Sequence, residues 1–162
     1  MEKALFTIGV FAGIFDSGGS LLLRRRNEET YFGKWELPGG ALQKKYLIGD
    51  EKAIRMALCE RVRVETGLNI IDYVQAMPAM YPTIHENDIA FAIIVGKVNQ
   101  TPTKGEIIYV TPSELQVLAV CEDLVSGQKR MYRMCLRMFV SRDCPNLEYR
   151  RQASEILKIS HK

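Results

Sequence analysis

The 162 residues hold only two histidines, His85 and His161, and four cysteines, Cys59, Cys121, Cys135 and Cys144. No two cysteines fall in a Cys-x-x-Cys pair, which excludes the usual zinc-ligand spacings. That usage points to a reduced, cytoplasmic setting. The chain also lacks a hydrophobic run long enough to span a bilayer, repeats, low-complexity tracts and any Pro/Gly/Ser-rich linker. Its most apolar stretch, Ala4 to Phe15, has one weak positive charge before it and no small-x-small cleavage site, so it reads as a first strand rather than a secretory signal. No membrane association is expected.

Charge of one sign is scarce too. The formal net charge is +3, and its distribution is uneven: residues 126 to 162 carry nine Lys or Arg against three acids, which leaves the first 125 residues slightly acidic. A chain of this length, about half apolar, builds one domain with a substantial core. The expected organisation is a main unit over residues 1–125 and a basic helical extension over 126–162 packed on it.

The chain is organised around the run from Gly39 to Leu68. Asp50 is a plausible N-cap, Ala53, Ile54, Ala57, Leu58 and Val62 form an apolar stripe at helical spacing, and Gly67 stands where a helix ends on a left-handed residue. Ahead of it, Gly33-Lys34-Trp35-Glu36-Leu37-Pro38 leads into Gly39-Gly40. Glycines there permit positive φ and let backbone amides approach an anion.

Gly-x-Trp-x-Leu-Pro-Gly-Gly, a loop, a helix and a closing Glu65-Thr66-Gly67-Leu68 resemble the signature of the Nudix superfamily. The resemblance covers about residues 5 to 120. It implies an α/β/α sandwich with a mixed sheet, here with a helical C-terminal extension. It also implies hydrolysis of a nucleoside diphosphate derivative, with Mg²⁺ or Mn²⁺ held by helix glutamates. Anchored on Gly67 and Leu68, Val62 and Glu65 match the family pattern. Glu60 stands where the family has Arg, Arg61 where it has Glu, and Val64 where it has the first of a pair of Glu. The segment between Gly40 and the helix is also about six residues longer than the pattern.

Each helical residue turns about 100°, so Arg61 and Glu65 share a face and Glu60 points away from both. Two readings of that face stand. A guanidinium there grips phosphate oxygens directly, or it forms an i,i+4 ion pair with Glu65 worth a few tenths of a kcal/mol. The candidate catalytic and metal-holding carboxylates are Glu65 and Glu60, with Asp50 or Glu51 as a loose stand-in for the family's loop glutamate. Glu106 is carried over from the loop before a strand-to-helix step. Gly39, Gly40, Arg61 and Arg25 are the candidate substrate-binding residues.

Alternation puts Arg24 and Arg26 on one face of a strand and Arg25 on the other. The resemblance implies that Trp35 packs beneath the glycine loop. The insertion Gln43 to Ile48, with Lys44, Lys45 and Tyr46, is a surface loop with a solvated lysine pair or a substrate-selecting loop. His85 and Glu86 offer a proton-transfer pair at the site's edge or are simply solvated. Strands are expected over 69–77, 89–98 and 106–110, then a Pro-started helix capped by Thr111. Further helices are expected from Gln128 and around Tyr149 to Ile159.

Two functions follow from these residues: a divergent hydrolase, or a catalytically weakened module that binds a nucleotide or diphosphate. In the second, the basic extension contacts a protein or nucleic-acid partner, and a homodimer is a further possibility.

Overall fold

The computed structural model describes residues 7–41, 51–70, 72–75, 88–98, 100–125, 128–142 and 147–159. Strand β1 (Thr7–Phe15) turns through Asp16 to Ser20 into β2 (Leu21–Arg25). The turn closes because the Asp16 carboxylate accepts from the Ser20 amide at 2.8 Å, leaving Phe15 opposite Leu21. The two strands then diverge. Into the fork runs a single extended stretch, β3 (Trp35–Glu36) pairing with Arg25 and Arg24 of β2, then β4 (Gly39–Ala41) pairing with Phe11, Val10 and Gly9 of β1. Gly39 is where this stretch changes partner. Its φ of 142° suits glycine, and a Cβ built there falls on the Val10 carbonyl oxygen.

On the far edge of β1 lies β6 (Asp88–Lys97), parallel along its length, with β5 (Asp72–Gln75) antiparallel beyond it. On the far edge of β2 lies β7 (Ile107–Val110). Among the described residues the result is a mixed seven-stranded sheet.

Period-two patterning in β1, β2 and β7 sends side chains alternately to two cores. Val10, Ala12, Ile14 and Leu22 meet Leu58, Val62 and Leu68 around helix α1 (Glu51–Thr66). Phe15, Leu21, Leu23 and Val110 meet Leu115, Met131, Tyr132, Cys135, Leu136 and Ala153 on the other face. That second face is covered by α2 (Pro112–Val120), α3 (Lys129–Arg142) and α4 (Leu147–Ile159). The α/β/α sandwich read from the sequence is therefore the observed architecture.

Thr111 caps α2 as expected, in a full capping box with Glu114. The basic extension docks through an apolar side. Met131 and Cys135 are buried, and Met134 and Met138 pack against them. Cys135 is so enclosed that burial pushes its thiol far above the ordinary range. No helix among the described residues is long and apolar enough to cross a membrane.

Candidate functional site

The C-terminal end of α1 sets the site. The helix stops at Gly67, whose φ is 77° and whose N–H donates to Arg63 O at 2.9 Å. The Thr66 hydroxyl donates to Val62 O at 2.7 Å and accepts from Leu68 N at 3.1 Å. Thr66 O in turn accepts from Thr103 N at 2.9 Å and Lys104 N at 3.3 Å. A helix-end carbonyl is thus satisfied by the chain entering β7, which fixes Lys104, Gly105 and Glu106 beside Glu65.

Glu65 is the centre of the arrangement. Its side chain is only 12% exposed, and both oxygens are engaged. Oε2 accepts from the Gly39 amide at 3.0 Å, and Oε1 accepts from Arg61 Nε at 3.0 Å. The same Nε–H also donates to Gly39 O at 3.0 Å, a forked bond to a carboxylate and a carbonyl. Arg61 lies over Gly40, whose φ is 147° and whose missing Cβ would stand 2.7 Å from Arg61 Nη2. Its Nη groups make no hydrogen bond within the described residues, and the side chain is 39% exposed.

Behind Glu65 stands a second guanidinium. Arg24 lies on the α1 face of β2, with Nε 3.5 Å from Glu65 Oε2 and without a hydrogen-bond partner. Its Nη2 donates to Glu36 Oε1 and, at 3.1 Å, to Glu28 Oε1. Arg26 donates to the other Glu36 oxygen at 2.8 Å. Arg24 and Arg26 share a face, as the alternation requires. Burial works against the charge on Arg24, but the carboxylates of Glu36, Glu65 and Glu28 outweigh it and hold its pKa above the ordinary value. Burial pushes Glu28 up, and the Arg24 bond, a backbone hydrogen bond and the charges of Arg24 and Arg26 together outweigh it, leaving Glu28 below the ordinary range.

Arg25 faces the other way. Its Nε donates to Gly33 O at 3.0 Å, its Nη1 to Glu106 at 2.9 Å, and its guanidinium lies 5.9 Å over the Trp35 ring. All three arginines, with Asn27, Glu28, Phe32, Gly33, Val64, Glu65 and residues 104–106, line a cleft of about 610 Å³. That size suits a small organic ligand.

The structure therefore brings Gly39, Gly40, Arg61 and Glu65 into one cluster, with Arg25 and Glu106 across the adjoining cleft. Glu60 is not brought to it. It is exposed on α1 and does not line the cleft. Five residues along a helix leave Glu60 and Glu65 on different faces, as the 100° step requires. Asp50, the insertion Gln43 to Ile48 and the pair His85 and Glu86 lie outside the described residues, as does the Glu51 side chain.

The sequence singled out Arg25 and passed over Arg24, which is the buried arginine. The signal was present: Arg24 shares the parity of Leu22, whose face packs on α1. Glu36 and Phe32 were likewise passed over, the first as part of a motif's spacing, the second as part of a connection.

Mg²⁺ is a hard cation that takes oxygen ligands in near-octahedral geometry. Among the described residues no three His, Cys, Asp or Glu side chains converge on a point, and Glu65 meets two guanidinium groups instead. The described donors on their own do not fit a resident divalent ion.

A family model described as the NUDIX domain matches residues 5–135. Solved structures are similar in fold. A NUDIX hydrolase from Nitrosomonas europaea is 16% identical with a TM-score of 0.61, over 85% of this chain and 90% of that one. The NUDIX domain of Shewanella oneidensis NrtR, solved in complex with ADP ribose, is 14% identical with a TM-score of 0.58, over 74% and 86%. A bifunctional NMN adenylyltransferase/ADP ribose pyrophosphatase from Francisella tularensis, solved with AMP and a Mn ion, is 13% identical with a TM-score of 0.64, over 85% of this chain and 43% of that one. Among curated protein sequences no significant match is found. The chain belongs to the NUDIX domain family.

Proposed function

We propose that this NUDIX-family chain binds a nucleoside diphosphate derivative in the cleft beside Glu65, with the Arg61 guanidinium in place of a divalent ion. Its hydrolytic power is correspondingly weakened. One observation carries the reading: the Arg61 Nε–H is forked between Gly39 O and Glu65 Oε1, both at 3.0 Å. A carbonyl and a carboxylate oxygen are the donors a hard cation would use, and here a fixed organic cation holds them. Its Nη groups remain available to phosphate oxygens, for which a guanidinium fork is well shaped. Arg24 adds a second positive group within reach of the same carboxylate.

The test is calorimetric titration of the whole chain with ADP, in EDTA and again in Mg²⁺. Binding is expected to survive EDTA and to weaken roughly tenfold or more in Arg61→Ala, since a hydrogen bond to a charged group contributes about 1.5–3 kcal/mol. Binding that requires Mg²⁺ and is indifferent to Arg61 overturns the reading.

The divergent hydrolase remains as the second reading, favoured by Glu65 itself, which sits in the family's register beside the glycine turn. It requires turnover of a nucleoside diphosphate derivative in Mg²⁺ or Mn²⁺ that Glu65→Gln abolishes.

A further inference from the structure

The cleft is polar in most of its lining and apolar at two places. Phe32 is 73% exposed and Val64 is 58% exposed. Both line it, one from the connection between β2 and β3, the other from α1. Single exposed apolar side chains are ordinary. Two of them on separate walls of one cleft that also holds arginines make a different pattern.

Phe32 is held in place. Tyr31 before it has a φ of 61° and Gly33 after it a φ of 78°. Left-handed backbone at a tyrosine is strained and persists only where its surroundings enforce it. Here Lys34 N donates to Tyr31 O at 3.1 Å, Gly33 N to Arg26 O at 2.9 Å and Arg25 Nε to Gly33 O at 3.0 Å. Arg25, which lines the cleft, thus helps to fix the turn presenting the ring. Such preorganisation lowers the entropy cost of binding.

We infer that Phe32 and Val64 form a subsite for the planar base of a purine nucleotide. Phe32 supplies a stacking face and Val64 an apolar wall. The inference rests on the reading of the cleft as a diphosphate site. Stacking on an aromatic face is tolerant of base identity, so the subsite selects for a large planar ring rather than for one base. Val64 adds to this by replacing a carboxylate of the family pattern with a surface that repels neither a base nor a phosphate.

The test is titration of the whole chain, and of Phe32→Ala, Phe32→Leu and Val64→Ala, with ADP, UDP and inorganic pyrophosphate. Phe32→Ala is expected to weaken ADP about tenfold, the usual scale for one lost stacking partner, and to leave pyrophosphate unchanged. Phe32→Leu falls between, Val64→Ala loses less, and wild type prefers ADP to UDP. Unchanged ADP affinity in Phe32→Ala overturns the subsite. So does an equal loss of ADP and pyrophosphate, which would mean that the ring only shapes the turn. If wild type binds pyrophosphate and takes ADP no more tightly, the subsite fails alone; if it binds neither, the reading of the cleft fails with it.

Discussion

Adjacent glycines have separate jobs in this chain. At Gly39 a methyl group meets the β1 backbone at Val10 O, and at Gly40 it meets only the far end of the Arg61 side chain. Gly39→Ala should therefore cost at least about 2 kcal/mol, as overpacking against immovable backbone does. Gly40→Ala should cost less stability but displace Arg61. Urea unfolding and ADP titration of the two variants separate these outcomes: the first loses stability foremost, the second affinity. The sequence identified both glycines and the Arg61–Glu65 face because a turn motif and a 100° helical step are local. It could not place Arg24 against Glu65, since that contact depends on how β2 and α1 meet across 41 positions of chain. Residue parity gave Arg24 its face, and only packing gave it its neighbours.

Elements were more legible than their partners. Apolar spacing and the Gly67 stop marked α1, and Thr111-Pro112 marked the start of α2. Thr111→Ala should cost about 1 kcal/mol, the usual value of a lost cap, read as a lower melting temperature with ADP affinity unchanged. The short pair β3 and β4 was hidden because Pro38, Gly39 and Gly40 argue against strand by propensity. Those residues pair because the divergence of β1 from β2 leaves both edges open to them, a tertiary cause that local preference does not contain. The strand expected over 69–77 is described only as β5, Asp72–Gln75.

Across the whole molecule the sheet separates two duties. Its α1 face carries one core with Arg24 and Glu65 at its margin, while the opposite face, under α2, α3 and α4, carries the second. Leu136 is 1% exposed in that second core. Leu136→Ala should cost about 2–5 kcal/mol, as buried leucine truncations do. ADP affinity measured well below the melting temperature should not change. Loss of both together would mean that the two faces are mechanically coupled. The basic extension belongs to this account through its buried side: Met131, Tyr132, Cys135 and Leu136 anchor it. The Tyr132 hydroxyl donates at 3.0 Å to Gln128 Oε1, which also accepts from the Leu37 amide at 3.0 Å. The extension thereby grips the strap that ends in the glycine turn. The one indole of the chain sits on that strap, under the Arg25 guanidinium that reaches into the cleft. Trp35 is therefore a native optical gauge: a ligand that draws Arg25 off its ring alters the emission of the whole protein's only strong ultraviolet fluorophore, with no dye attached.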